Sequence, residues 1–299
     1  MVTHMAADAG SDSAPPPAPR LPLDLERTIF EISAWSSLRE ITILMLVAHR
    51  VKPRLYRVVF LSDYDPKLEC IPVFTYAVFL RLLAAKPPGF LQNAVKYLYL
   101  GERNTDDSPE THDEDLRSIL QTCTDVTDFF DFQGARLELV QSLKCVRKIA
   151  VNCNHLFHVP LHTNFSHPMF RTLTHLEVLH EPNDADLAGI PHIPHLSHFA
   201  FNLLGMCPSV FSSVVPACPR LACIVLLQRA DDMDHRLKPF LDDERFVLIH
   251  QSDFTFDWQR AATGGVNYWD VADAFIRARR AGRVGRITSF ISDEDISWF

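Results

Sequence analysis

The sequence predicts an α/β solenoid, in which short repeated units stack so that each one adds a strand to a parallel sheet. The first observation is a six-residue phrase with apolar residues at its first, fourth and sixth positions. The second is its spacing, because successive central apolar positions lie 20 to 31 residues apart. Parallel strands need crossovers of about a dozen residues or more, which this spacing supplies. The phrases span 95–100, 146–151, 173–178, 196–201 and 221–226, and the stretch 126–132 fits the same pattern loosely.

The N-terminal quarter is predicted to hold a tail, two helices and a strand. Residues 1–20 are rich in alanine and proline and are expected to lie outside the folded part. Leu25, Ile29 and Ile32 recur at the spacing of an amphipathic helix. A second helix is predicted over 38–50, and a β-branched and aromatic run predicts a strand at 55–61.

The stretch 21–30 reads Leu-Pro-Leu-Asp-Leu-Glu-Arg-Thr-Ile-Phe and resembles the opening of an F-box. Residues 46–61 are similar to fungal F-box-like proteins, in which a helix leads into the first repeat strand. The pattern departs from the usual one at Asp24, where Glu is commoner, and in a short central segment. The resemblance implies a helical F-box-like segment over 21–61 that binds a Skp1-type adaptor protein. The residues implied in that contact are Leu21, Pro22, Leu23, Ile29 and Phe30. A helical cap for the solenoid is another role for this segment.

Residues 62–250 are assigned to the solenoid, and their phrases resemble degenerate leucine-rich repeats. Helical spacing predicts a helix over 74–85, and an acid-rich loop is expected over 102–115. The stretch 245–250 is a candidate for a seventh repeat strand. Between phrases, helices or loops should carry the chain back to the start of the next strand.

Residues 251–299 form the predicted C-terminal unit, a capping helix and tail. The stretch 253–265 is predicted to be irregular, and a helix should begin at Asn267 and end at Gly282. Its apolar face would carry Trp269, Ala272, Phe275 and Ile276. This helix is expected to cap the far end of the solenoid.

Charge and composition limit the classes of function. The chain has 29 basic and 37 acidic side chains, a formal net charge of −8, which does not favour nucleic-acid or anionic-membrane partners. Seven cysteines form no C-x-x-C pair, and the first 20 residues lack the apolar core of a signal peptide. No apolar run is long enough to span a bilayer. These observations predict a cytoplasmic or nuclear protein.

The sequence predicts no catalytic, cofactor or metal site. Nucleophile-elbow, Walker and dinucleotide-binding motifs are absent from the sequence. Two groups of histidines are metal candidates. The first is His155, His158, His162 and His167 after Cys153, where prolines break any helix that would align the rings. In the second, His192, His195 and His198, two residues precede a strand and one lies on it, so the three rings need not converge. A metal-dependent hydrolase built on the histidines is the most remote hypothesis.

The strand phrases predict a protein-binding face. Side chains between the apolar positions should point to the opposite face of the sheet, because side chains alternate along a strand. In leucine-rich repeats, which the phrases resemble, that face is the concave surface. The resemblance therefore implies an open, partner-binding surface with the residues Tyr97, Tyr99, Phe130, His175, Glu177, His198 and Val225. The competing arrangement is that 251–266 or 283–299 lies over these strands and buries them.

The function predicted from these features is protein binding, by an F-box-type substrate receptor of a ubiquitin ligase. In this hypothesis, residues 21–61 bind the adaptor and the solenoid binds an unknown protein substrate. The main alternative is an interaction scaffold that has kept the helical cap but does not use an adaptor.

Overall fold

The computed structural model describes residues 56–64, 71–104, 109–157, 164–180, 184–202, 207–228, 240, 242–250, 254–285 and 290–291. Within these ranges the chain is an α/β protein with a single ten-stranded sheet in which every pair of neighbouring strands is parallel. The tail at 1–20 and the residues expected to hold an adaptor lie outside the described residues, as does most of 21–61.

The strands lie side by side in chain order from the third to the tenth, and the first strand lies between the second and the third. Their bounds are β1 Val58–Leu61, β2 Val73–Phe74, β3 Tyr97–Leu100, β4 Asp128–Asp131, β5 Lys148–Val151, β6 His175–Val178, β7 His198–Phe201, β8 Cys223–Gln228, β9 Phe246–His250 and β10 Phe290–Ile291. The prediction that the six phrases form adjacent parallel strands is confirmed by β3 to β8. The candidate strand at 245–250 is confirmed as β9.

Helices and turns connect the strands up to β8, and two further helices follow β9. The described helices are α1 Tyr76–Ala85, α2 Phe90–Ala94, α3 Pro109–Thr122, α4 Leu137–Val140, α5 Cys153–Leu156, α6 Asp184–Gly189, α7 Cys207–Ser209, α8 Val215–Ala217, α9 Phe254–Ala262 and α10 Tyr268–Arg280. A turn of π-helix joins α7 to α8, and 3₁₀ turns cover Pro168–Thr172 and Ile190–His192. None of the helices in the described ranges is long and apolar enough to cross a membrane.

One face of the sheet, here called the first face, packs against the helices and loops that connect the strands. Leu98, Phe129 and Ile149 occupy one row of matched positions across β3, β4 and β5, and all three are buried. They belong to one apolar core with side chains of α1, α3, α4, α5 and α6. Each connection therefore buries its apolar side against the strands that it joins, and this burial is the main stabilising term.

Hydroxyl side chains tie three of the strands, β4, β6 and β7, to the strand before each of them. Thr127 donates to the carbonyl of Lys96 (3.1 Å), Thr174 to that of Arg147 (3.0 Å) and Ser197 to that of Thr174 (3.2 Å). Each hydroxyl residue stands immediately before a strand. It therefore satisfies a carbonyl at the strand entrance and holds the register between neighbouring repeats.

The turn after β4 is held by one buried carboxylate. Asp131 accepts hydrogen bonds from the backbone N–H groups of Gln133 (3.0 Å), Gly134 (3.0 Å) and Ala135 (2.6 Å). Gly134 has φ +81°, and a Cβ there would lie 2.2 Å from Nδ1 of His155. Glycine is therefore required for both conformation and space.

Two expectations about the C-terminal unit are wrong. The stretch 253–265 is not irregular, because it contains α9. The helix that begins after Asn267 does form, but it does not cap the far end of the sheet. It packs on the second face of the sheet, the face that carries Tyr99, Ala150 and Val225.

Candidate functional site

The predicted register of the second face is correct, but the prediction that this face is open is wrong. Tyr99, Phe130, Glu177 and Val225 occupy matched positions on their strands, as expected. All four are buried, with exposed fractions of 5%, 3%, 6% and 0%. Tyr97, His175 and His198 are partly buried. The residues predicted to bind a partner therefore do not form an accessible surface while α9 and α10 are in place.

Helix α9 covers the second face over β1, β3 and β4. Phe60, Tyr99 and Phe130 form a stacked aromatic ladder across these strands, with ring centroids 4.1 and 4.5 Å apart. Trp258 lies edge-on against Tyr99, at 5.2 Å, and its indole Nε1–H donates to Asp128 Oδ1 at 3.1 Å. The indole thus supplies both an apolar contact and the partner that a buried carboxylate needs.

Helix α10 covers the same face from β6 to β9. Tyr268 donates its hydroxyl hydrogen to Glu177 Oε2 at 2.8 Å. Trp269 meets the rings of His175 and His198 edge-on, with centroids at 5.1 and 5.6 Å. Near the other end of the helix, Arg279 donates to the carbonyl of Phe246 at 3.0 Å.

The connection between α9 and α10 is fixed by polar contacts. Asn267 and Asp270 form a reciprocal capping box at the start of α10. Asp257 of α9 accepts the backbone N–H of Tyr268 and is paired with Arg260 at 2.8 Å. These contacts hold the connection between the two helices beside β5 and β6.

A small cavity lies between the sheet and this connection, and we refer to it as the junction cavity. Its volume is about 40 Å³, enough for roughly three water molecules at about 10–15 Å³ each. Three carboxyl groups, those of Asp128, Glu177 and Asp257, contribute to its wall, as does Lys148. Glu177 Oε1 is buried there without a hydrogen-bond partner. The aromatic part of the wall consists of Phe130, Trp258, Tyr268 and Trp269.

Burial determines the protonation of the carboxyl groups. The pKa of Glu177 is raised to about 8, chiefly by burial and also by the nearby Asp257 and Asp128, against the hydrogen bond from Tyr268. Burial raises the pKa of Asp128 to about 6, opposed by Lys148 and the Trp258 N–H. The pKa of Asp257 is also raised by burial, opposed by Arg260. Glu177 therefore carries its proton at neutral pH and acts as a neutral hydrogen-bonding group.

Beside the junction cavity, the first positions of β6, β7 and β8 place two imidazoles and a thiol in one row. His175 and His198 stack with ring centroids 4.0 Å apart. Burial, with the neighbouring His198 and Lys148, lowers the pKa of His175 to about 2, so this ring is neutral. Burial raises the pKa of the Cys223 thiol. Asp273 of α10 approaches His198 Nε2 at 3.2 Å, and that contact lowers the pKa of the carboxyl group.

The series His192, His195 and His198 does not form a site. His192 bonds the carbonyl of Gly189 within a 3₁₀ turn, and His195 is exposed in the loop that follows. The ring that stacks on His198 is instead that of His175, which occupies the matched position on the preceding strand. Among the described residues, one group of three or more His, Cys, Asp or Glu side chains has the spacing of a metal site, and it contains His198, Cys223 and Asp273.

The polar partners that α9 and α10 supply were not predicted from the sequence. Asp128 and Cys223 stand at strand positions that alternation directs to the second face, so part of the signal was present. Asp257, Tyr268 and Asp273 lie more than 25 residues beyond the last phrase, and no local pattern connects them to the strands.

Comparison with models of protein families gives no match to this chain, and comparison with curated proteins also gives none.

Proposed function

We propose that this chain is a protein-interaction module built as a leucine-rich-repeat-like solenoid, and that it serves as an F-box-type substrate receptor of a ubiquitin ligase. The observation that carries the proposal is the order of β3 to β9, in which each repeat adds one parallel strand beside the previous one. Stacked repeats of this kind produce extended surfaces suited to protein binding.

Residues 21–61 are the proposed adaptor-binding segment. The support for this part is the resemblance of Leu21–Phe30 to the opening of an F-box. The described structure places the end of this segment, Val58–Leu61, in the sheet as β1. An adaptor bound to the preceding residues would therefore be attached directly to the repeat region.

The proposed substrate surface is the side of the sheet where the strands have their C-terminal ends, here called the carboxyl edge, since α9 and α10 cover the second face. Tyr64 follows the end of β1 and is 54% exposed, and Phe132 follows the end of β4 and is 57% exposed. Exposed aromatic side chains are effective anchors in protein interfaces. The carboxyl edge thus takes the place of the concave face in the predicted mechanism.

The test is affinity purification of the full chain from cells, followed by mass spectrometry. Wild type should recover a Skp1-type adaptor, and the double variant Ile29→Ala/Phe30→Ala should lose it. The double variant Tyr64→Ala/Phe132→Ala should keep the adaptor and lose specific protein partners. Phe256→Ala, which changes an exposed aromatic residue on α9, is the control and should keep both.

Recovery of specific partners by wild type without any adaptor would contradict the F-box assignment. It would favour the adaptor-independent interaction scaffold. Retention of the same partners by the Tyr64/Phe132 variant would exclude the carboxyl edge as the substrate surface.

A further inference from the structure

Three potential metal ligands converge where α10 crosses β7 and β8. His198 comes from β7, Cys223 from the matched position of β8, and Asp273 from the overlying helix. One ligand atom from each residue lies within 4.8 Å of the other two. The three residues are 25 and 50 positions apart in the chain, so their convergence is a product of the fold.

The ring of His198 is oriented by the hydroxyl group before it. Ser197 donates its single hydroxyl hydrogen to the carbonyl of Thr174, at 3.2 Å. Its Oγ then accepts from His198 Nδ1, at 2.7 Å, which assigns the ring proton to Nδ1 on the basis of the hydrogen-bond network. A hydrogen bond that fixes one ring nitrogen is the usual companion of a metal-binding nitrogen on the other side.

This assignment leaves a lone pair on His198 Nε2, directed at a carboxylate oxygen. Asp273 Oδ1 lies 3.2 Å from that nitrogen. A lone pair and a carboxylate repel each other unless a cation lies between them or beside them. Such a cation is a metal ion that both atoms bind; the alternative without a metal is a ring proton on Nε2 that is donated to Asp273 Oδ1.

We propose that His198, Cys223 and Asp273 bind one Zn²⁺ ion, which attaches α10 to the sheet. Nitrogen, sulfur and carboxylate oxygen are the ligands that zinc prefers, and three protein ligands leave a fourth tetrahedral position for water. Binding replaces the thiol hydrogen of Cys223 by the metal, and that proton passes to solvent.

The surroundings fit such an ion. Cys223 is fully buried, and Trp269 packs edge-on against the ring of His198, so two sides of the site are closed to solvent. The Asp273 side chain is 46% exposed and gives the metal a route to the site. The proposal is independent of the proposed F-box function, since it concerns only how α10 is held on the sheet.

The experiment uses the untagged full chain, stripped with a chelator and titrated with Zn²⁺ and with Co²⁺. We expect about one ion per chain by elemental analysis, and a rise in melting temperature as the metal binds the folded state. The Co²⁺ form should show thiolate-to-metal charge transfer, which a surface site made of histidines or carboxylates would not produce.

Two variants and a matched control assign the ligands. Cys223→Ser should abolish the charge-transfer band, and Asp273→Asn should weaken zinc binding by at least about tenfold. Asp273 is partly exposed, so its replacement leaves the fold intact even if Cys223→Ser does not fold. Cys145→Ser changes an exposed thiol and should have no effect on either measurement.

The proposal is overturned if the wild-type chain takes up no stoichiometric zinc. It is also overturned if Asp273→Asn binds zinc with unchanged affinity, or if the Co²⁺ form lacks thiolate charge transfer. In these cases the contact between His198 and Asp273 is an ordinary imidazole–carboxylate hydrogen bond.

Discussion

Glu177 is the one carboxyl group in the register row of the second face that runs from Tyr99 to Val225. Its immediate neighbours in register are Ala150 and Ala200, whose small side chains leave room above the sheet. Tyr268 occupies that room and supplies one hydrogen bond. Because the other carboxyl oxygen has no partner, ionisation at this position is costly.

Glu177 therefore makes stability depend on pH. Its pKa is about 8 in the folded chain, above the ordinary value of 4.5, so the native state holds the proton more tightly than the unfolded state. The stabilising contribution is complete below pH 4.5 and is lost as the pH rises towards 8. The variant Glu177→Gln should lose this dependence and should be more stable than wild type at pH 8. Thermal melts from pH 5 to pH 8 measure the effect.

A shallower dependence should remain in Glu177→Gln, because the pKa of Asp128 is also raised, to about 6. Glu138→Gln, on an exposed side chain, is the matched control and should follow wild type at every pH. A Glu177→Gln profile parallel to that of wild type across the whole range would refute the assignment.

At the scale of elements, α9 shows how one short helix can bury a sheet face. Trp258 and Ala262 are four positions apart, so they lie on the same side of the helix. Both belong to the apolar cluster that includes Phe60, Tyr99 and Phe130. Phe256 lies on the other side of α9 and is 52% exposed. The helix is thus amphipathic, although it is only nine residues long.

Replacement of Trp258 should release α9 from the sheet. Trp258→Ala removes the contact with Tyr99 and leaves Asp128 without its indole donor, so we expect a loss of about 3 kcal/mol or more in the free energy of unfolding. Urea denaturation measures the loss. Hydrogen exchange should show β3 and β4 more exposed in the variant, while β7 and β8 stay protected.

Phe256→Ala is the control on the same helix. Its ring contacts Arg260 at the surface, at 5.4 Å, so its removal should change the free energy by less than about 1 kcal/mol. Equal losses for the two variants would mean that Trp258 does not fasten the helix to the sheet.

At the scale of the whole molecule, α9 and α10 connect parts of the sheet that are far apart in sequence. In a simple repeat array each unit contacts only its neighbours, and cooperativity can fail along the array. Here α9 contacts β1, β3 and β4, while α10 contacts β6 to β9. The two helices are themselves joined by Asp257 and the backbone of Tyr268.

We therefore expect the described sheet to unfold as one cooperative unit. Urea transitions followed by far-ultraviolet circular dichroism and by tryptophan fluorescence should coincide. In Trp258→Ala the two curves should separate, because the strands under α9 lose their connection to those under α10. Separate transitions in the wild-type chain would contradict this account.

The residues of this chain by themselves determined the strands and their register. Each phrase places apolar side chains on alternate positions, and a shift of one residue would turn that set to the opposite face. For this reason the rows that contain Tyr99, Phe130 and Glu177 were aligned correctly from the sequence. Even the weakest phrase, at 126–132, has Phe129 in the core of the first face, as its alternation predicts.

Only the tertiary structure decided what lies on the second face. Its resemblance to the concave face of leucine-rich repeats suggested exposure to solvent, whereas its carboxyl groups, Asp128 and Glu177, are buried and need partners. Trp258 and Tyr268 supply those partners from about 90 to 130 positions later in the chain. Strand alternation is a local property that a sequence displays directly. Covering a face depends on complementary shape and hydrogen bonding between distant segments, and these meet only once the chain has folded.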